Sequence, residues 1–418
     1  MLFRPASSNR WLPTLVLGSA LAFVVLVARR PETVTRAEFY AEDGRVFFLG
    51  TYFGDPGEVL LRTYNGYLHA VPRLVGMAER LVPMEVAPGL ANMISLLVVA
   101  LVAGYLASDR LAPLLPDRRA RLVAAAGFVI LPATQETLGS IAFIQAYLLV
   151  VLAAVAMADP PRSRGGRALE ATAVALSALS TPVAIVLAPL HWLRLRRYGS
   201  SVLTTTVAVT AAGVAQLVVL VASGPGATAP TDIAQGIQAV VLRLVVEPVT
   251  GALWPRLAIV TGVPAWVGLI AAVLLGGLLV IAATSVDRRL ALGLVAIAWV
   301  VGVLGIVRAS DFSAGLLDPF IFQRYFVLAG WAAVVVIANG LFAESPAVRR
   351  AALVLAVVFV AGATADFRLP ARPDLGWPAR SVCIGGPAPC DVPVFPTDSF
   401  TIRWPGPSGA YDQGDWTR

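Results

Sequence analysis

Apolar residues run in unbroken stretches long enough to cross a bilayer, interrupted by short polar segments rich in arginine. Runs of this kind occupy residues 11–28, 88–107, 202–222, 257–284, 290–307, 325–343 and 351–365. All but the shorter last one are close to the roughly 20 residues a helix needs to span the hydrocarbon. Residues 122–157 and 168–193 are too long or too interrupted for one plain span, and arginine-rich segments flank both. They read as helical hairpins broken at Leu131-Pro132-Ala133-Thr134 and at Ser180-Thr181-Pro182, because proline lacks a backbone donor and ends or kinks a helix. The pattern predicts an all-α polytopic membrane protein with about 11 transmembrane helices.

Two sizeable segments lie outside these runs, residues 30–87 and residues 366–418. In the first, Leu68, Val71, Leu74, Val75, Ala78, Leu81 and Val82 fall on one face of a helix with Arg73, Gly76 and Arg80 opposite. Such a helix either lies in the membrane interface or packs on the rest of the chain. The second is rich in proline, glycine and polar residues and predicts a small irregular cap. The chain thus divides into a membrane domain, residues 1–365, and a cap, residues 366–418.

Charge orients this arrangement. All 32 basic residues are arginine, and sixteen of them fall in the short segments that alternate on one side, among them Arg110, Arg118, Arg119, Arg121, Arg162, Arg164, Arg167, Arg194, Arg196 and Arg197. Six of the 25 acidic residues share that side. The positive-inside rule therefore places it in the cytoplasm, with the N-terminus, and sends residues 30–87 and the cap outward. The same loops account for the net charge of +7, and no basic stripe interleaved with aromatic residues suggests a nucleic-acid partner. Arg29-Arg30 closes the first run without a small-x-small cleavage site, so the run reads as a retained signal anchor.

Candidate chemistry concentrates where the first run emerges into water. Phe39-Tyr40-Ala41-Glu42-Asp43-Gly44-Arg45 sets two adjacent carboxylates there, either as a solvated loop or as a general base or metal site near the headgroups. Cys383 and Cys390, the only two cysteines, both fall in the outward cap, where a disulfide is expected in an oxidising compartment. His69 and His191 are far apart in the chain, and no zinc-protease, phosphate-loop or Ser-His-Asp pattern is present.

The order of these features resembles the GT-C integral-membrane glycosyltransferases: an inner N-terminus, one helix, a long outward loop opening on an acidic pair, many further spans and an outward cap. Tyr64-Asn65-Gly66-Tyr67-Leu68-His69, Pro72-Arg73-Leu74 and Pro132-Ala133-Thr134-Gln135-Glu136 look similar to segments of bacterial members. The resemblance implies transfer of a sugar from a polyprenyl-phosphate donor to an envelope glycan or glycolipid acceptor, in a bacterial plasma membrane. It places the catalytic carboxylate on Asp43, with Glu42 as its neighbour. A leaving lipid phosphate needs guanidinium partners, for which Arg324, then Arg308, then Arg73 stand at suitable positions, each equally readable as an interface arginine that snorkels to headgroups. Tyr64, Asn65 and His69 could hold sugar hydroxyls, and Glu136 and Gln145 are polar groups of the first hairpin, Glu136 either facing a cavity or paired as a structural acid. No cofactor is required on this reading, although Glu42-Asp43 leaves room for a divalent metal. The rival readings are a transporter or flippase for a lipid-linked glycan, for which no internal repeat is evident, and a non-catalytic envelope scaffold.

Overall fold

The computed structural model describes residues 11–223, 233–251, 253–254, 265–308 and 321–406. Helix dominates. Among the described residues, the helices of ten or more residues are α1 (Trp11–Arg29), α2 (Ala70–Glu79), α3 (Ala87–Ala107), α4 (Arg118–Val129), α5 (Gln145–Met157), α6 (Arg164–Ala178), α7 (Ala184–Tyr198), α8 (Leu203–Ala222), α9 (Ala265–Ala283), α10 (Arg288–Arg308), α11 (Val327–Leu341) and α12 (Pro346–Ala365). Helix occurs in each of the eleven expected spanning segments, residues 257–264 of one lying outside the described residues, and α2 forms in the 30–87 loop as its pattern predicts. Four stretches are long and apolar enough to cross a membrane by length and composition: Trp11–Arg29, Met84–Ala107, Ala184–Ala222 and Pro346–Ala365. The chain is a membrane-embedded helical protein.

Both proline breaks fall where the sequence places them. Helix α4 stops at Val129, and a non-helical segment through Ala133, whose φ is 55°, leads to α5. Arg29 reaches into this break, donating from Nη1 to the Val129 carbonyl at 2.8 Å and from Nη2 to the Leu131 carbonyl at 3.1 Å, so a buried guanidinium satisfies acceptors that the helix end leaves open. The apolar stretch Ala184–Ala222 is itself a hairpin. It turns at Gly199, whose φ of 61° suits glycine, and is tied across by Trp192 Nε1 to Thr210 Oγ1 at 3.1 Å and Thr206 Oγ1 to the His191 carbonyl at 3.2 Å.

The arginine-rich ends of these helices gather at one end of the bundle. Glu170 of α6 accepts from Arg194 Nη1 at 2.8 Å and from Arg110. Arg110 Nε and Arg194 Nη2 also donate to the Asp159 carbonyl, at 2.6 and 3.3 Å. Tyr198 donates to Asp159 Oδ1 at 2.7 Å, and Arg121 Nη2 meets Asp109 Oδ1 at 2.6 Å.

At the opposite end the 30–87 loop and the cap share a second apolar core that includes Phe39, Phe47, Phe48, Trp377, Val394 and Ile402. The cap holds an antiparallel pair, β1 (Cys390–Val394) and β2 (Phe400–Trp404), with Val392 opposite Ile402. Cys383 and Cys390 form a disulfide, and Trp377 Nε1 donates to the Met84 carbonyl at 2.9 Å.

Helix α2 departs from the amphipathic expectation. It buries Arg73, Gly76 and Glu79 as well as Val75 and leaves Leu74 exposed, with Leu81 exposed just beyond its end. Gly76 explains the departure: a Cβ there would stand 2.5 Å from the Phe47 carbonyl oxygen, so only glycine lets α2 approach the 43–49 turn this closely. Arg73 and Gly76 of the polar-looking face are therefore packed, while of the apolar face Val75 is buried and Leu74 points outward.

Candidate functional site

The loop carrying the two carboxylates is fixed from both sides. Ala41 takes a left-handed φ of 50°, an unusual conformation for a residue with a Cβ and one that concentrates at functional sites. Its N–H donates to the Phe395 carbonyl of the cap at 2.7 Å. Beyond it, Asp43–Leu49 forms a π-helical turn, and Arg73 of α2 donates from Nη1 to the Val46 carbonyl at 2.7 Å while its guanidinium lies 5.1 Å from the Phe47 ring centroid.

Glu42 and Asp43 consequently part company. Asp43 is fully buried, and its Oδ1 accepts from Ser140 Oγ at 2.9 Å and from the Ala142 N–H at 2.7 Å. It anchors the 130–144 connection to the 30–87 loop and does not line the cavity. Burial pushes its carboxyl up to about 7, against the lowering effect of the Ala142 hydrogen bond and of the Arg372 charge. Glu42 instead faces a cavity of about 330 Å³. Its Oε1 accepts from Tyr64 at 3.4 Å, and its buried Oε2 has no hydrogen-bond partner. Burial raises Glu42 above the ordinary carboxylate range, partly offset by Arg324.

The cavity is divided by chemistry. Glu42, Tyr64, Asn65, Tyr67, His69, Gln145 and Arg324 supply its polar part, whereas Leu149, Val183, Ile185, Val186, Leu217, Leu220, Val301 and Leu304, drawn from α5, α7, α8, α10 and the approach to α7, supply apolar walls. Tyr67 donates to Gln145 Oε1 at 3.0 Å and stacks on His69 with ring centroids 4.0 Å apart. Burial, reinforced by the nearby Arg73 charge, pushes His69 down to about 3, so its imidazole is neutral at physiological pH. Gln216 of α8 fixes the strand of loop behind these rings, accepting from the Leu68 N–H at 2.9 Å and donating to the Leu68 carbonyl at 3.0 Å.

Arg324 lies in the turn that precedes α11, next to Phe322 with its left-handed φ of 60°. Its guanidinium sits over Phe143 and Tyr325, 4.7 and 4.9 Å from their centroids, and forms an ion pair with Glu136.

Seven of the twelve residues singled out in the sequence, counting the two cysteines, therefore meet at one cavity: Glu42, Tyr64, Asn65, His69, Gln145 and Arg324 line it, and Glu136 stands behind Arg324. Asp43 holds backbone where Glu42 faces the cavity, Arg73 is buried beneath the 43–49 turn, away from the cavity, and of the two readings of Glu136 the paired acid is the one observed. Arg308 closes α10, and its side chain lies outside the described residues. Tyr67, Phe143 and Tyr325 were not singled out; Tyr67 stands in the quoted 64–69 stretch, and Tyr325 follows Arg324 directly. No group of three or more His, Cys, Asp or Glu residues able to hold a metal occurs among the described residues. Comparison of the sequence with protein-family models and with curated proteins finds no match.

Proposed function

We propose that this protein is a membrane glycosyltransferase of the GT-C type, moving a sugar from a polyprenyl-phosphate donor to an envelope glycan or glycolipid on the extracytoplasmic face of a bacterial plasma membrane. The observation that carries the reading is the two-part cavity, whose polar end holds an unpartnered carboxylate oxygen and a guanidinium and whose walls are aliphatic. That combination suits an amphiphile with an anionic link between a polar head and a hydrocarbon tail. Eleven crossings, with the arginine-rich end in the cytoplasm, would set the cavity at the outer face.

On this reading Glu42 is the general base. It takes the proton from an acceptor hydroxyl as that oxygen attacks the anomeric carbon, and the bond from that carbon to the phosphate oxygen breaks. Raising the carboxyl by burial brings its proton affinity nearer the operating pH, which favours a base. Arg324 offers planar donors to the phosphate as negative charge grows on it. Tyr64, Asn65, Tyr67, His69 and Gln145 present hydroxyl, amide and ring surfaces to the sugar.

The test is transfer of radiolabel from polyprenyl-phosphate sugars to an envelope extract by the purified protein in lipid vesicles. Labelled product that depends on Glu42 supports the reading. Movement of the intact donor between leaflets with no transfer would replace it with a flippase.

A further inference from the structure

We propose that Glu136 is a positioning residue that partly neutralises Arg324, so that the cavity lets go of the phosphate left behind after transfer. The inference rests on the reading of the cavity as a phosphate site.

Two segments grip each other here in both directions. Glu136 Oε1 pairs with Arg324 Nη1, Oε2 accepts from the Arg324 N–H at 3.3 Å, and the Glu136 N–H donates in turn to Gln323 Oε1 at 2.9 Å. The guanidinium is therefore held edge-on by a carboxylate and face-on by Phe143 and Tyr325. Glu136 is 6% exposed, and it does not line the cavity, whereas Arg324 does. An anion entering the cavity thus meets an arginine whose charge is already opposed from behind.

The opposition matters most for the product. A phosphodiester donor carries one negative charge, and the monoester that remains carries up to two. An uncompensated guanidinium in a largely buried site would hold the second species far more tightly and slow its departure. A fixed carboxylate behind the guanidinium narrows that difference while keeping the donors of the guanidinium aimed.

The measurement is binding of a polyprenyl monophosphate to the full-length protein in detergent, alongside donor KM and kcat. Glu136→Gln keeps the side-chain shape and the backbone bond to Gln323 but removes the charge, so it should bind the probe on the order of tenfold more tightly and lower KM and kcat together. Damage to a purely structural residue would not tighten binding. Glu136→Asp keeps the charge and should bind no more tightly than wild type. If Glu136→Gln is not recovered as folded protein, Glu136→Asp alone decides, since tighter binding there would assign the effect to geometry and overturn the proposal. Unchanged or weaker binding in folded Glu136→Gln also overturns it, while loss of binding in Arg324→Ala would leave the phosphate site standing. If wild type does not bind the probe, or Arg324→Ala binds it as wild type does, the proposal and the reading beneath it both fall.

Discussion

The two ends of the helical bundle solve the same problem, a largely enclosed arginine, in opposite ways. At one end Arg110 and Arg194 converge on Glu170 and finish on the carbonyls of Ala158 and Asp159, where chain segments end. At the other end Arg324 meets a single carboxylate, Glu136, and its remaining surface borders a cavity that also holds the free Oε2 of Glu42. Helices α5, α7 and α8 run from one end to the other, with Gln145, Ile185 and Leu217 at the cavity and their opposite termini among the arginines. An arginine–carboxylate pair is thus no signature of function by itself. What separates the two is whether charge is left over beside an open volume.

That contrast can be broken most forcefully at Glu42. Glu42→Gln should lower sugar transfer by roughly 10²- to 10⁴-fold without changing the melting temperature appreciably, measured by radiolabel transfer and by thermal unfolding in detergent. Wild-type transfer by this variant would remove the carboxylate from the mechanism.

The closed end should answer in stability and not in turnover. Glu170→Ala leaves two buried guanidinium groups without their shared partner, for a loss of about 3–5 kcal/mol, read as a lower unfolding midpoint, while activity per folded molecule stays near that of wild type. Loss of transfer with the midpoint intact would show that the two ends are not separable.

Arg324→Lys should retain part of the activity, with roughly a tenfold loss, because an ammonium cannot reproduce the planar fork. Steady-state kinetics with a lipid-phosphate donor decide this, and full activity with lysine would reduce Arg324 to a headgroup anchor.

The smallest effect concerns Asp43. Its folded carboxyl titrates at about 7, above its ordinary value of 3.8. Its contribution to stability is complete below the ordinary value and is lost as pH rises through the folded one. His69 has the opposite sign: lowered to about 3, it contributes above its ordinary value of 6.5 and loses that as pH falls. Asp43→Asn should therefore gain on wild type in unfolding midpoint as pH is raised from about 4.5 to about 7.5, and a constant difference across that range would contradict the burial of an ionisable Asp43.

The helical segments were legible because their signal is long. Runs of apolar residues and the breaks at Pro132 and Pro182 repeat the same message over many positions, and the arginine clusters mark helix ends that do converge. Finer assignments failed where one backbone rotation decides the outcome. Glu42 and Asp43 are neighbours, and which one meets the cavity depends on the left-handed turn at Ala41 and the π-helical turn after it, neither of which hydrophobic period encodes. The burial of Arg73 and Gly76 on α2 escapes the periodicity because Gly76 counts as polar there yet serves as a contact point. The partnership of Glu136 with Arg324 joins residues far apart in the chain, beyond any local pattern.

The hydrogen bond from Ala41 to Phe395 ties the carboxylate-bearing loop, made early in synthesis, to a strand pair made near the end. The turn that aims Glu42 can gain this bond only after the cap has been made. A chain ending before residue 390 would lack this bond, leaving the left-handed turn at Ala41 without its partner from the cap.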